Sequence, residues 1–241
     1  MAAQVRLLSY NIRSMRDDVA ALARVIRACA PDVVCVQEAP RFVRWRHAAA
    51  RLARSTGLTY VTGGAPSCGT MILSTLRAAV ERTEDVTFPL TPGLHRRGLA
   101  TAVLRFGRSA RLGVVSCHLS LQRDERFAQG ELLLGRLADL GAPHAVVAGD
   151  LNERPRGRMF RRLTEQLTDG WVAAPAGGEF TSPAHAPVRR IDAVLCTPGV
   201  RVLSCGVPAV AELPGIHRDD LLRATDHLPV LAVLQVPDQE D

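Results

Sequence analysis

The feature that most constrains this chain is a series of short, continuously apolar runs that end on a polar residue. Val33 to Val36 leads into Gln37-Glu38, Leu112 to Cys117 into His118, and His144 to Ala148 into Gly149-Asp150. Runs of this length, rich in β-branched residues and apolar at nearly every position, read as strands covered on both faces. Such strands demand a layered fold. Further strand-like runs are Val5 to Tyr10, Thr70 to Leu73, Leu99 to Phe106, Ile191 to Cys196 and Leu228 to Val236.

Helical patterns lie between them. Val19, Leu22, Ile26 and Cys29 recur at helical spacing, predicting a helix over Asp17 to Ala30 that Pro31 stops. A second is expected over Arg41 to Ser55, ending before Gly57. A third covers Gln122 to Leu140 with Leu133, Leu137 and Leu140 on one stripe, and a fourth Gly157 to Leu167. Pro89 to Arg97 and Ala173 to Pro187 read as long surface loops, a length often tied to function. No repeat, low-complexity tract or linker divides the 241 residues, so one domain over 1–241 is expected, with a loose tail at Pro237 to Asp241.

Composition excludes some classes. Hydrophobic residues at 47% and charged residues at 22% mark a packed globular chain rather than a disordered one. No apolar run approaches the ~18 residues of a membrane-spanning helix, and the start lacks a signal-peptide pattern, which predicts a cytoplasmic protein without a transmembrane segment. The six cysteines stand singly inside mostly apolar runs and read as small buried hydrophobes in a reducing compartment. Net charge is +6 and all 30 cations are arginine. Arginine's planar fork suits phosphate, but complete loss of lysine is the mark of a compositional bias, so only the sign favours an anionic substrate.

The polar residues at the run ends carry the chemistry. Asp150 and Asn152 follow a buried strand, and at i and i+2 of an extended chain they would share a face; the structural alternative is a turn that uses Asp and Asn. Asn11, Glu38 and His118 follow three other runs. Asp192 opens the run into Cys196, and Asp226-His227 precedes Leu228. If these last strands run antiparallel to the others, their starts meet the others' ends at one rim. A carboxylate, imidazole and amide cluster would then line one cavity.

The ordered motifs Ser9-Tyr10-Asn11, Gln37-Glu38, Ser116-Cys117-His118-Leu119, Gly149-Asp150-Leu151-Asn152, Arg190-Ile191-Asp192 and Thr225-Asp226-His227-Leu228-Pro229 span residues 9 to 229. In them the chain resembles the endonuclease/exonuclease/phosphatase superfamily, the deoxyribonuclease I-like metal-dependent phosphoesterases. The resemblance implies an α+β fold, a four-layer α/β/β/α sandwich of two mixed, mostly antiparallel sheets packed face to face with helices outside. It implies a Mg2+ or Mn2+ ion on Glu38 with Asn11 and Asp226 nearby, His227 as general base oriented by Asp192, and catalytic roles for His118, Asp150 and Asn152. His118 and Asn152 would also bind substrate phosphate.

Arg96 and Arg97, on the loop after Pro92-Gly93, are candidates to grip that phosphate, against the alternative of solvated charges. Arg123 and Arg126 read as surface residues at the start of the third helix, and His217 as an exposed loop histidine. The expected partner is a phosphoester substrate, with nucleic acid among the candidates; no protein partner can be inferred. His-Leu at 118–119 resembles deoxyribonuclease, sphingomyelinase and deadenylase branches, and disfavours abasic-site repair, where the family places a tyrosine. Arg189-Arg190-Ile191-Asp192 departs from the signature of inositol polyphosphate phosphatases. Only 4% of residues are aromatic, which argues against an extended stacking track for single strands. A phosphatase or a phospholipid or sphingomyelin-type phosphodiesterase is the alternative enzyme. A non-catalytic scaffold of the same fold is the alternative class, opposed by a full set of site residues.

Overall fold

The structure, a computed structural model, describes residues 2–239. Twelve strands form two six-stranded sheets. The first holds β1 (Ala2–Asn11), β2 (Val33–Gln37), β3 (Thr59–Gly63), β4 (Met71–Ser74), β11 (Arg201–Gly206) and β12 (Val230–Pro237), in the order β11-β12-β1-β2-β4-β3. The second holds β5 (Ala78–Thr87), β6 (Gly98–Phe106), β7 (Ala110–His118), β8 (Ala145–Asp150), β9 (Thr168–Asp169) and β10 (Asp192–Cys196), in the order β5-β6-β7-β8-β10-β9. Only β1·β2 and β7·β8 pair in parallel; the other ladders are antiparallel.

Both faces of the central strands are covered, which explains their unbroken apolar runs. Val33 and Cys35 face the second sheet, in a core with Val5, Leu7, Ala102, Val114 and Val146. Their neighbours Val34 and Val36 face outward onto Leu22 and Ile26 of α1 (Val19–Cys29), Leu52 of α2 (Trp45–Thr56) and Leu221 of α6 (Arg218–Ala224). Val115 and Val147 of the second sheet pack on Leu133 of α3 (Arg123–Ala138) and on Phe160 and Leu163 of α4 (Arg158–Thr164). Each such side chain contributes about 1.5–3 kcal/mol relative to exposure, so three stacked cores hold the strand ends in fixed positions. The short α5 (Gly170–Ala173) completes the helices. The four-layer sandwich read from the motifs is the observed fold.

Local chemistry sets the helix ends. Asp18 accepts from the Ala20 and Ala21 amides at the start of α1, and Ala30 ends it in the left-handed region. The second helix begins later than expected, at Trp45, because Arg44 is left-handed (φ 57°) and breaks the run from Arg41. Leu137 and Leu140 keep their inward stripe, although α3 stops at Ala138.

Arg126 corrects the reading of the third helix. It is 7% exposed, donates to the Ser120 and Leu121 carbonyls and pairs with Glu153 at 2.9 Å. A polar partner in another element is invisible to helical spacing, which is why it read as surface; Arg123 is exposed as expected. All six cysteines are free, and all but Cys68 are buried. Among the described residues no helix is long and apolar enough to cross a membrane. The tail expected at 237–241 is described to Gln239, whose amide donates to the Ser109 carbonyl, and residues 240 and 241 lie outside the described residues.

Candidate active site

The strand pairing brings the polar run ends to one rim. His118, Asp150 and Asp192 are register partners across β7, β8 and β10, so three functional side chains lie on one line across adjacent strands. The antiparallel course of β10 and β12 is what places Asp192 and His227 beside the ends of the other strands. From the opposite sheet, Asn11 ends β1 and Glu38 follows β2. Asn11 joins the two rims, donating to Glu38 Oε1 (3.2 Å) and Asp150 Oδ2 (3.1 Å). Deeper in, the Ser116 hydroxyl of β7 donates to the Val36 carbonyl of β2 and ties the sheets together.

Asp150 is the hub. Its Oδ2 lies 3.5 Å from His118 Nε2 and 3.9 Å from His227 Nε2, and its Oδ1 accepts from the Asn152 amide at 2.8 Å. That last bond forms a turn, with Asn152 left-handed (φ 50°), so Asp150 and Asn152 do not share a face as extended residues. The turn instead directs the Asn152 amide nitrogen to the Leu119 carbonyl (2.9 Å) and to within 3.1 Å of His118 Nε2. The tetrapeptide is therefore an Asp/Asn turn whose side chains face the cluster, not an extended pair.

His227 Nδ1 stands 2.8 Å from Asp192 Oδ2 in a buried setting. An ionised carboxylate only accepts, so Nδ1 carries the proton and Nε2 is left facing Asp150. Burial pulls the His227 pKa down, but the charge and hydrogen bond of Asp192, aided by Asp150 and Asp226, outweigh it and raise the value to about 9. Burial and the adjacent Asp192 charge push the Asp150 carboxyl up to about 7, against the opposing pull of His227, the Asn152 amide and Asn11. His118 behaves oppositely, since burial and then the Arg97 charge hold it well below the usual imidazole range. It is neutral and lies between two donors, Arg97 Nη1 3.0 Å from Nδ1 and the Asn152 amide nitrogen 3.1 Å from Nε2, of which its single acceptor nitrogen takes one.

The donor set fits a divalent cation. Asp150, Asp192 and His227 form a buried cluster whose ligand atoms lie within 4.8 Å of one another, and Asp192 Oδ1 is buried without a hydrogen-bond partner. With Glu38 and Asn11 alongside, the rim offers hard oxygen donors, the type that magnesium and manganese select. The strained residues sit here as well: Glu38 (φ 53°) and Asn152 (φ 50°) are both left-handed.

Asn11, Glu38, His118, Asp150, Asn152, Asp192 and His227 are thus brought together. Asp226 lies at the edge, 47% exposed, 3.5 Å from Arg13 and bonded to the Thr225 hydroxyl. The two loop arginines separate. Arg97 turns in to His118, whereas Arg96 is exposed and contributes only its carbonyl, to Arg41.

Arg13 was missed by sequence reasoning. Its amide donates to Asn11 Oδ1 (3.1 Å), its guanidinium reaches Asp226, and it opens three successive left-handed residues, Arg13, Ser14 and Met15. The Ser14 amide closes this turn on the Glu38 carbonyl (2.7 Å). Nothing in the run Ile12-Arg13-Ser14-Met15 signals it, for none of these residues favours positive φ. His217 caps α6 and is exposed.

A sandwich of two mixed sheets, its facing rims furnished with carboxylates, amides and a carboxylate-held histidine, defines the deoxyribonuclease I-like class of folds. The endonuclease/exonuclease/phosphatase family model matches residues 8–227, and the chain belongs to that family. An endonuclease/exonuclease/phosphatase from Bacteroides vulgatus, 19% identical, superposes with a TM-score of 0.80 over 98% of this chain and 100% of that one. A mannosyl-6-phosphatase from Bacteroides thetaiotaomicron, 15% identical, gives 0.77 over 95% and 99% of the two chains. Truncated TDP2 from Caenorhabditis elegans, 19% identical, gives 0.69 over 96% and 97%. No curated protein sequence matches the chain.

Proposed function

We propose that the chain is a one-domain, cytoplasmic, Mg2+- or Mn2+-dependent phosphoester hydrolase of the phosphodiesterase or nuclease type. One observation carries the reading: a buried His227–Asp192 pair at 2.8 Å, its free imidazole nitrogen facing the carboxylate on which Asn11 and His118 converge. A hydrolase of a phosphoester needs a base for water, donors for the phosphoryl oxygens and help for the leaving oxygen.

His227 Nε2 takes the proton of the attacking water, and Asp192 fixes the tautomer and steadies the imidazolium that results. The neutral His118 imidazole and the Asn152 amide bind the phosphate. Asp150, whose carboxyl is raised to about 7, orients the water or returns a proton to the leaving group. Arg97 adds a fixed positive charge beside His118, and Arg96 reaches substrate only from outside. Glu38 with Asn11, joined by Asp226 at the edge, would hold the metal, which when bound polarises the phosphoryl oxygen and stabilises developing charge.

A phosphatase, or a lipid-directed phosphodiesterase, would use the same groups. The fold likeness spans both a mannosyl-6-phosphatase and TDP2 and does not choose between them. The test is to assay purified protein, with Mg2+, Mn2+ or EDTA, on plasmid DNA, RNA, phospholipid and sugar phosphates. Metal-dependent cleavage of a nucleic acid is expected; cleavage of lipid alone would overturn the nuclease preference, and equal rates in EDTA would overturn the mechanism.

A further inference from the structure

Beside the site lies a groove that the proposed chemistry does not use. It has a volume of about 470 Å³ and is lined by Trp45, Arg46, Ala49, Tyr60, Pro66 and Asp85. Two aromatic rings and a proline form its walls, the residue types that stack on a planar ring. Arg46 lies over the Trp45 ring at 4.4 Å, and Phe42, three residues earlier, is 76% exposed with Arg41 over its ring. Two of the ten aromatic residues of the chain thus line this one groove. The remainder are spread elsewhere, so the patch serves one ring, or two, rather than a long strand.

The groove shares a wall with the site. Residues 64–69 pass between them: Gly64 leaves room for Trp45, whose ring a Cβ there would meet at 2.6 Å, and the Gly69 carbonyl accepts from the Ala39 amide next to Glu38. Arg41 clamps the same loop through the Cys68 carbonyl. The chain linking Glu38 to the groove, and α2 beyond it, carries Arg41, Arg44, Arg46, Arg51 and Arg54 with no acidic residue from 39 to 56. The segment between the hydrolytic centre and the aromatic groove is thus positively charged. The one acid in the lining, Asp85, accepts from the Thr62 hydroxyl at 3.0 Å on one oxygen. It is also bonded by the Gly63 amide, and a carboxylate's remaining lone pairs suit the amino edge of a ring.

Resting on the phosphoester-hydrolase reading, we infer that this groove holds a nucleobase of the substrate, stacked against Tyr60 and in place of Arg46 against Trp45, with an exocyclic amine toward Asp85, while Arg41, Arg44 and the displaced Arg46 take the adjoining phosphates. The substrate class is then a nucleotide-containing phosphodiester with an unpaired base beside the scissile bond. Aromatic stacking discriminates a base from no base, and the arginines do not, because they respond to phosphate alone.

The experiment is a fluorescence titration of the full chain carrying His227→Ala, with a deoxycytidine trimer, a deoxythymidine trimer, an abasic trimer of equal charge, cytidine monophosphate, and vesicles of anionic phospholipid. The cytidine trimer should bind about 5- to 140-fold more tightly than the abasic one. Trp45→Leu should abolish that difference, Trp45→Phe should keep it, and Asp85→Asn, which leaves the aromatic walls intact, should narrow the preference for cytidine over thymidine. Monophosphate binding as tight as the trimer would assign the groove to free nucleotides and overturn the phosphodiester class. Equal binding of the cytidine and abasic trimers, or vesicle binding that depends on Trp45 in place of trimer binding, overturns the inference. Hydrolysis of a small chromogenic phosphodiester by the parent chain and by Trp45→Leu is followed in parallel. A dead parent chain sinks the hydrolase reading while the titration still decides the groove.

Discussion

At the scale of residues, the site is defined by opposed electrostatic settings for its two histidines. His227 is drawn toward the charged form, because Asp192 outweighs its burial, whereas His118 is held neutral by burial and by Arg97. A base must be deprotonated to act, so kcat/KM should rise with pH along a limb set by His227, below its metal-free value of about 9 once a cation shares the site. Asp192→Asn removes the charge that raises this value, so the limb should move to lower pH while the maximal rate falls by about 10²–10⁴. A pH-rate profile checks this; a limb that stays in place detaches Asp192 from the base. Arg97 Nε is buried without a partner, and its guanidinium faces an imidazole rather than a carboxylate, an arrangement suited to an incoming phosphate. Arg97→Ala should raise KM about tenfold or more with a smaller change in kcat, and Arg97→Lys should restore little, since the forked geometry is lost. An unchanged KM in steady-state kinetics would remove Arg97 from the binding role.

At the scale of elements, the site depends on how the ends of β7 and β8 are fastened. Arg126 of α3 holds the Ser120 and Leu121 carbonyls beyond β7 and pairs with Glu153, whose other oxygen accepts from the Met159 and Phe160 amides at the start of α4. This buried pair spans the turn that carries Asn152. Glu153→Ala leaves the Arg126 charge unmatched and should cost about 3–5 kcal/mol in urea unfolding. A loss below about 1 kcal/mol would show that the pair does not fasten the turn. Gly149 is fixed by a close approach, because a Cβ there would lie 1.9 Å from the Cys117 carbonyl oxygen of the neighbouring strand. The strands that carry chemistry were legible in the sequence because both their faces are apolar. β5 was not, since it is an edge strand with Glu81 and Arg82 exposed and Glu84 half-buried, and such charges guard an edge against pairing while erasing the strand pattern. β11 and α6 escaped for a related reason: each is short and only partly buried, so neither builds a periodic apolar stripe.

At the scale of the whole molecule, six motifs dispersed from residue 9 to residue 229 become one site because two sheets face each other and two strands reverse direction. The order of motifs made the fold legible. The contacts between motifs were not, for Asn11 reaching Asp150 across the sandwich and Arg13 tying Asn11 to Asp226 depend on backbone turns that no residue pattern announces. A cation held by Glu38, Asn11 and Asp226 binds only the folded rim, so adding Mg2+ should raise the melting temperature and EDTA should lower it. The most direct measurement of the central claim is the hydrolysis of a small chromogenic phosphodiester by the chain and by Glu38→Ala, each with Mg2+ and with EDTA. Turnover is expected only for the parent chain with metal, with a loss of at least about a hundredfold in the variant. Turnover that persists unchanged in EDTA or in Glu38→Ala would contradict it.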